Sequence, residues 1–220
     1  MALDVGHGLG DTGAISARGT PEFDFNRHLA RVLQPVLEQR GLAVQPVNFD
    51  GAIGSLPARV AAAAGADFLL SVHHDSVSPF KLVPWNWMGQ DLDFQDQDRG
   101  FVLFISHRNP RLEQSLACAS AIGARLRRQG FVPATHHRDT AAGTPRPWAD
   151  ADNGVRFYDT LYVISHSPMP AVLLEAGMLK HRDEELELRD PQRQGLMADA
   201  IATGLAACLA VLPVEAVVGD

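Results

Sequence analysis

Short apolar runs alternate with longer helical patterns along this chain, and the alternation limits the folds that the chain can adopt. Residues 2–5, 68–72 and 171–174 are short, largely apolar runs of the kind found in buried strands. Residues 21–40 and 192–212 instead carry apolar side chains at helical spacing. Strands that alternate with helices predict a mostly parallel sheet covered on both faces. We therefore expect a single α/β domain over residues 1–212, followed by a short tail at residues 213–220.

The remaining patterns are weaker, and two polar segments interrupt them. Further strands are predicted at residues 42–47, 101–106 and 161–164, and further helices at residues 56–64 and 111–129. Residues 77–100 contain two tryptophans, two prolines and four aspartates, which predicts a long loop or insertion. Residues 135–154 are polar and rich in histidine, glycine and proline, and we expect them to be irregular.

Composition excludes some classes of partner. The formal net charge of −7 argues against nucleic acid as the main partner, because phosphate binding requires clustered lysine and arginine. Since no window holds the eighteen or so apolar residues of a membrane span, none is expected. An apolar run follows Met1 directly, so no signal peptide is predicted within this sequence. Cys118 and Cys208 lie in apolar helical patterns and are expected to be buried free thiols.

Three of the predicted strands run into side chains that can bind metals or move protons. His7 follows the first of them, His73 follows the run at 68–72, and Glu175 follows the run at 171–174. In open α/β sheets, ligands bind in the crevice beyond the carboxyl ends of the strands, so these three side chains are expected to converge. A catalytic zinc ion takes three protein ligands. The two histidines supply two, and Glu22 is the best candidate for the third.

Four motifs occur in a family-like order: residues 4–8 (DVGHG), Glu22 with Asn26, residues 71–75 (SVHHD) and residues 170–177 (PAVLLEAG). In this order and spacing the chain resembles the zinc-dependent N-acetylmuramoyl-L-alanine amidases, the Amidase_3 family, from residue 2 to about residue 209. The resemblance implies a twisted sheet of about six strands flanked by helices on both faces. It also implies that His7, Glu22 and His73 bind Zn²⁺ and that Glu175 is the catalytic carboxylate.

The resemblance further implies a function. It predicts a peptidoglycan hydrolase that uses zinc-activated water to cut the amide bond between N-acetylmuramic acid and L-alanine of the stem peptide. The expected substrate is peptidoglycan or a muropeptide, and the expected location is the cell envelope, either periplasmic or extracellular. In some family members an insertion near residues 77–100 blocks the site until an activating protein removes it. The alternatives are a zinc peptidase that acts on other peptide bonds and a non-catalytic cell-wall-binding regulator.

Several polar residues allow more than one interpretation. Residues 8–13 (GLGDTG) mimic a dinucleotide fingerprint, but the helical pattern begins too late for one, so a glycine-rich loop beside a metal is preferred. Asp4 is expected to orient His7. Asp75 could support a ligand, bind metal itself or be a simple loop residue. His136 and His137 could line the cleft, although a solvated loop is the preferred interpretation.

Overall fold

Nine strands and six α-helices make up the computed structural model, which describes residues 1–138 and 146–211. In chain order the strands are β1 (Ala2–Val5), β2 (Gln45–Val47), β3 (Leu69–Asp75), β4 (Val83–Trp87), β5 (Gln90–Phe94), β6 (Val102–Ile105), β7 (Trp148–Asp150), β8 (Val155–Phe157) and β9 (Ala171–Met178). The helices are α1 (Glu22–Gln39), α2 (Leu56–Ala62), α3 (Leu112–Arg128), α4 (Tyr162–His166), α5 (Arg182–Leu188) and α6 (Pro191–Leu209). The predicted tail at residues 213–220 lies outside the described residues.

Seven of these strands form one sheet in the order β2-β1-β3-β9-β6-β8-β7. The pairs from β2 to β9 are parallel, β6 runs antiparallel to β9 and parallel to β8, and β7 closes the sheet antiparallel to β8. The expected α/β domain with a mostly parallel sheet is confirmed, with one strand more than the approximate count. The sequence did not predict β7 and β8, which lie in or next to the segment at residues 135–154 that was expected to be irregular. Each of these strands is only three residues long, so its sequence pattern is weak.

Helices cover both faces of the sheet, as expected. Side chains alternate along the strands, so Leu3 and Leu70 contribute to the larger core against α1, α3 and α6, while Leu69 contributes to the core on the other face, against α4. The strand predicted at residues 161–164 is wrong, since this run lies in α4 and buries Val163 and Ile164. A short apolar run does not by itself distinguish a buried strand from a buried helix.

The two cysteines are joined, and the prediction of free thiols is wrong. Cys118 in α3 and Cys208 in α6 form a disulfide with a Cα–Cα distance of 5.2 Å. They are 90 residues apart in the sequence and meet only because the two helices pack side by side. The sequence around each cysteine therefore resembles that of any apolar position in a helix.

Residues 77–100 are not a simple loop. They contain a short 3₁₀ helix at Pro79–Lys81 and an antiparallel hairpin made of β4 and β5. Trp85 stacks on Trp87 with ring centroids 5.2 Å apart, and its indole N–H donates to the Ala17 carbonyl at 2.9 Å. The hairpin thus packs on the segment that joins β1 to α1.

Among the described residues, no helix is both long enough and apolar enough to cross a membrane.

Candidate metal and catalytic centre

His7, Glu22 and His73 converge at the carboxyl ends of β1 and β3. Nε2 of His7 lies 3.2 Å from one carboxylate oxygen of Glu22, and Nδ1 of His73 lies 3.1 Å from the other. The two imidazole rings meet edge to face with centroids 5.1 Å apart. All three potential ligand atoms lie within 4.8 Å of one another. The structure therefore brings together the three residues that the sequence nominates as metal ligands.

The glycine-rich loop makes this convergence sterically feasible. A Cβ atom at Gly6 would lie 2.4 Å from the His73 ring, so no larger residue fits there without moving that ring. At Gly13, with φ near +74°, a Cβ would lie 2.6 Å from Oε2 of Glu22. Helix α1 begins only at Glu22, well past the glycines. The glycines therefore allow the backbone to approach the ligand cluster closely.

The backbone of His7 is held by residues that sequence reasoning missed. The Asn48 amide donates to the carbonyl oxygens of Val5 and His7 at 2.9 and 2.5 Å, and the Arg59 guanidinium also donates to the His7 carbonyl at 2.5 Å. Asp4, which was expected to orient His7, makes no hydrogen bond to the His7 ring among the described residues. It accepts a hydrogen bond from the Ser71 hydroxyl at 2.6 Å and faces Arg59 at 3.6 Å. Its link to His7 is therefore indirect, through Arg59.

Glu22 is held as an anion. Burial alone would raise the pKa of Glu22, but hydrogen bonds with His7 and His73 outweigh it, so the pKa lies well below its usual value. The Asn26 amide donates to Oε1 of Glu22 at 3.2 Å, which fixes the carboxylate from a third direction. The same Asn26 side chain bonds Nδ1 of His74 at 2.7 Å, and burial lowers the pKa of His74 to about 3. His74 is thus a neutral supporting residue outside the ligand cluster.

This donor set fits zinc. Two imidazole nitrogens and one carboxylate are the ligands of many catalytic zinc sites, which keep a further position open. The side chain of Glu22 is 6% exposed, whereas those of His73 and His7 are 14% and 26% exposed. The carboxylate therefore sits at the base of the cluster, and the imidazoles form its solvent-facing side.

Glu175 lies on β9, next to the ligand cluster. Its register partner on the neighbouring parallel strand is His73. Burial raises the pKa of Glu175 well above its usual value, and the negative charges of Asp75 and Glu22 raise it further. Its Oε2 atom is buried and has no hydrogen-bond partner among the described residues. A carboxyl group that keeps its proton to an unusually high pH is suited to general acid and base chemistry.

A second cluster lies beside Glu175, and it overturns the expectation of a solvated loop at His136 and His137. Both histidines are buried, with Nε2 atoms 3.0 and 2.6 Å from Oδ2 of Asp75. Burial lowers the pKa of His137, while burial of Asp75 is outweighed by its contacts with the two histidines, so the pKa of that carboxylate lies well below its usual value. Asp75 is therefore an anchored anion. The histidine partners of Asp75 lie about sixty residues further along the sequence, so no local pattern revealed them.

Comparison with known proteins extends these observations. The family model described as N-acetylmuramoyl-L-alanine amidase matches residues 1–207. The probable cell wall amidase LytH of Staphylococcus aureus is 25% identical over 207 residues, which cover 93% of this chain and 56% of that protein. This chain thus spans little more than half the length of the curated relatives it matches.

Solved structures resemble it over nearly its whole length. The catalytic domain of CwlV, an N-acetylmuramoyl-L-alanine amidase from Paenibacillus polymyxa, is 26% identical with a TM-score of 0.71, covering 96% of this chain and 98% of that one. The CwlD amidase from Clostridioides difficile, solved in complex with the GerS lipoprotein, shares the fold at 21% identity and a TM-score of 0.69, covering 96% and 98%. Because the family model matches nearly the whole sequence, the chain belongs to the N-acetylmuramoyl-L-alanine amidase family, Amidase_3.

Proposed function

We propose that this chain is a peptidoglycan hydrolase that cleaves the amide bond between N-acetylmuramic acid and the L-alanine of the stem peptide. The observation that carries the proposal is the convergence of His7, Glu22 and His73 beside the buried carboxyl group of Glu175. Family membership over residues 1–207 supports the same activity. The substrate class is therefore peptidoglycan or a muropeptide derived from it.

We also propose that His7, Glu22 and His73 hold one zinc ion. Zinc held there would supply Lewis acidity, which makes water more acidic and polarises a carbonyl group. Glu22 contributes the negative charge of the ligand set, and its low pKa keeps that charge at any physiological pH. Asn26 and the buried backbone contacts of His7 keep the ligands in place, so little reorganisation accompanies metal binding.

Glu175 is the proposed catalytic carboxylate. It accepts a proton from the attacking water while the water oxygen bonds to the lactyl carbonyl carbon. It then returns the proton to the amide nitrogen, so that the C–N bond breaks and the amine of L-alanine departs. Burial gives the carboxyl group a proton affinity suited to both transfers, because the same group must act first as a base and then as an acid.

The proposed location is the cell envelope. Peptidoglycan lies outside the cytoplasmic membrane, and the relatives in Staphylococcus aureus are named cell wall amidases. The Cys118–Cys208 disulfide supports a location outside the reducing cytosol, where such bonds persist. An activating protein is a further proposal, supported by the complex of the CwlD amidase with a lipoprotein.

Metal content and muropeptide hydrolysis, measured side by side, test the proposal. Wild type is expected to bind one zinc per chain and to release free stem peptide, and chelation should abolish release until zinc is restored. His73→Ala should lose both metal and activity, whereas Glu175→Gln should keep the metal and lose turnover. His28→Ala, at an exposed position of α1, is the matched control and should behave as wild type.

Three results would contradict the proposal. Undiminished hydrolysis by Glu175→Gln would remove Glu175 from the reaction. Hydrolysis of ordinary peptides in preference to the muropeptide would favour a zinc peptidase instead, and the absence of both metal and activity in wild type would favour a binding protein.

A further inference from the structure

Three residues beside Glu175 form a chain of hydrogen bonds with a defined direction. The Arg146 guanidinium donates to Nδ1 of His137 at 2.5 Å, and Nε2 of His137 lies 2.6 Å from Oδ2 of Asp75. Arginine can only donate, so Nδ1 of His137 is the acceptor. The ring proton of neutral His137 therefore sits on Nε2 and is donated to Asp75. Each bond in the chain stabilises negative charge on Asp75.

The direction of these bonds distinguishes this cluster from the metal ligand cluster. Nε2 of His137 carries a hydrogen and offers no lone pair to a metal ion. Its 2.6 Å contact with Asp75 is a short hydrogen bond to a charged acceptor. Although its three side chains are of metal-binding types, this cluster is organised as a hydrogen-bonded anion.

Aromatic packing fixes this chain of hydrogen bonds in place. The Arg146 guanidinium lies 4.1 Å from the centre of the Tyr158 ring and donates to the Tyr158 hydroxyl at 3.1 Å. The rings of Phe104 and His137 meet edge to face with centroids 5.1 Å apart, and the His136 ring packs against that of His137 with centroids 4.0 Å apart. Because so many contacts hold this one buried carboxylate and its partners, its position is expected to matter.

Asp75 is held close to the reacting groups. It lies two residues after His73 on β3, and His73 is the register partner of Glu175. From this position the negative charge of Asp75 acts on Glu175 and raises its pKa. Since Glu175 is the proposed proton donor to the departing nitrogen, positive charge develops next to Glu175, within the field of Asp75.

We propose that Asp75, positioned by His137 and Arg146, stabilises the ammonium group that forms when the scissile amide breaks. The inference rests on the proposed amidase function. In that reaction, amide and water yield a carboxylate and an ammonium ion, with the last proton reaching nitrogen through Glu175. Asp75 acts on the ammonium group through its charge, whereas His137 and Arg146 are positioning residues that keep its carboxylate in place.

The test compares two substrates that differ at the leaving atom. One is an N-acetylmuramoyl-L-alanyl peptide, and the other is its ester analogue, in which oxygen replaces the scissile nitrogen and no ammonium forms. Asp75→Asn is expected to lower kcat on the amide roughly 100-fold, equivalent to about 2.7 kcal/mol, with little change in KM. On the ester the same variant should lose less than about fivefold in kcat. Zinc content should stay at one per chain.

The His137 variants separate positioning from folding. His137→Gln retains a donor toward Asp75 and an acceptor toward Arg146, so it should restore most of the amide turnover that His137→Ala loses. His107→Ala, which removes a half-exposed histidine elsewhere, is the matched control and should leave both substrates unaffected. Melting temperatures of all variants identify any that fail to fold.

Equal losses on amide and ester in Asp75→Asn would overturn this inference while leaving the amidase function intact. Two zinc ions per wild-type chain, one of them lost in His137→Ala, would replace it with a second metal site. A wild type that cleaves neither substrate would overturn the proposed function, and this inference with it.

Discussion

The disulfide between Cys118 and Cys208 makes a quantitative prediction about stability. It closes a loop whose ends are 90 residues apart, and in the chain-entropy model a loop of that length lowers the entropy of the unfolded state enough to stabilise the fold by about 4.6 kcal/mol. Replacing both cysteines with alanine should therefore lower the free energy of unfolding by about 4 to 5 kcal/mol. For a chain of this size, that corresponds to a fall in Tm of roughly 9 to 18 °C.

Urea unfolding followed by circular dichroism can test both the magnitude and its origin. If cross-linking dominates, Cys118→Ala and Cys208→Ala should each cost nearly the full amount, and the double variant should cost little more. If packing of the buried sulfur atoms dominates, the single losses should be smaller and should add in the double variant. Additive losses that total less than about 2 kcal/mol would refute the cross-linking argument.

Three further predictions concern the candidate site. Gly6→Ala places a methyl group 2.4 Å from the His73 ring, so its zinc content by elemental analysis should fall although the fold persists. Gly10→Ala is the control, because its methyl group would meet nothing within 4 Å, and its zinc content should match that of wild type. Asn26→Ala removes two donated hydrogen bonds and the partner of a buried imidazole, so it should weaken zinc affinity about 10- to 100-fold in chelator competition; unchanged affinity would argue against a supporting role. The pKa of Glu175 is raised in the folded state, so above the ordinary glutamate pKa the folded chain holds a proton that the unfolded chain has lost. The free energy of unfolding should therefore fall as pH rises from the ordinary glutamate pKa toward the raised one. In metal-free protein, urea unfolding between pH 5 and 8 should show this fall, at most about 1.4 kcal/mol per pH unit, and Glu175→Gln should flatten it.

The residues of the candidate site were predictable because their signal is local. His7, His73 and Glu175 each follow an apolar run directly, and parallel strands bring such positions to one edge of a sheet. Glu22 was predicted from the opening turn of a strongly periodic helix together with the family-like motif context. Their convergence also depends on strand order, and β1, β3 and β9 are indeed neighbours in the sheet.

The missed features all depend on contacts between distant parts of the chain. Arg59 and Asn48 reach the His7 carbonyl from elements some forty to fifty residues away, and neither lies in a recognisable motif. The burial of His137 depends on a carboxylate 62 residues earlier, so a polar, proline-rich segment gave no sign of it. The pairing of Cys118 with Cys208 likewise follows from helix packing rather than from either local pattern.

The reversal of direction between β9 and β6 places Glu175 between a parallel and an antiparallel strand pair. Glu175 pairs with His73 on one side and with Val102, at the amino end of β6, on the other. The three candidate metal ligands come from the loop after β1, from α1 and from β3, whereas β6 lies on the other side of Glu175. Substitutions in or beside β6 would therefore leave all three candidate ligands unaltered.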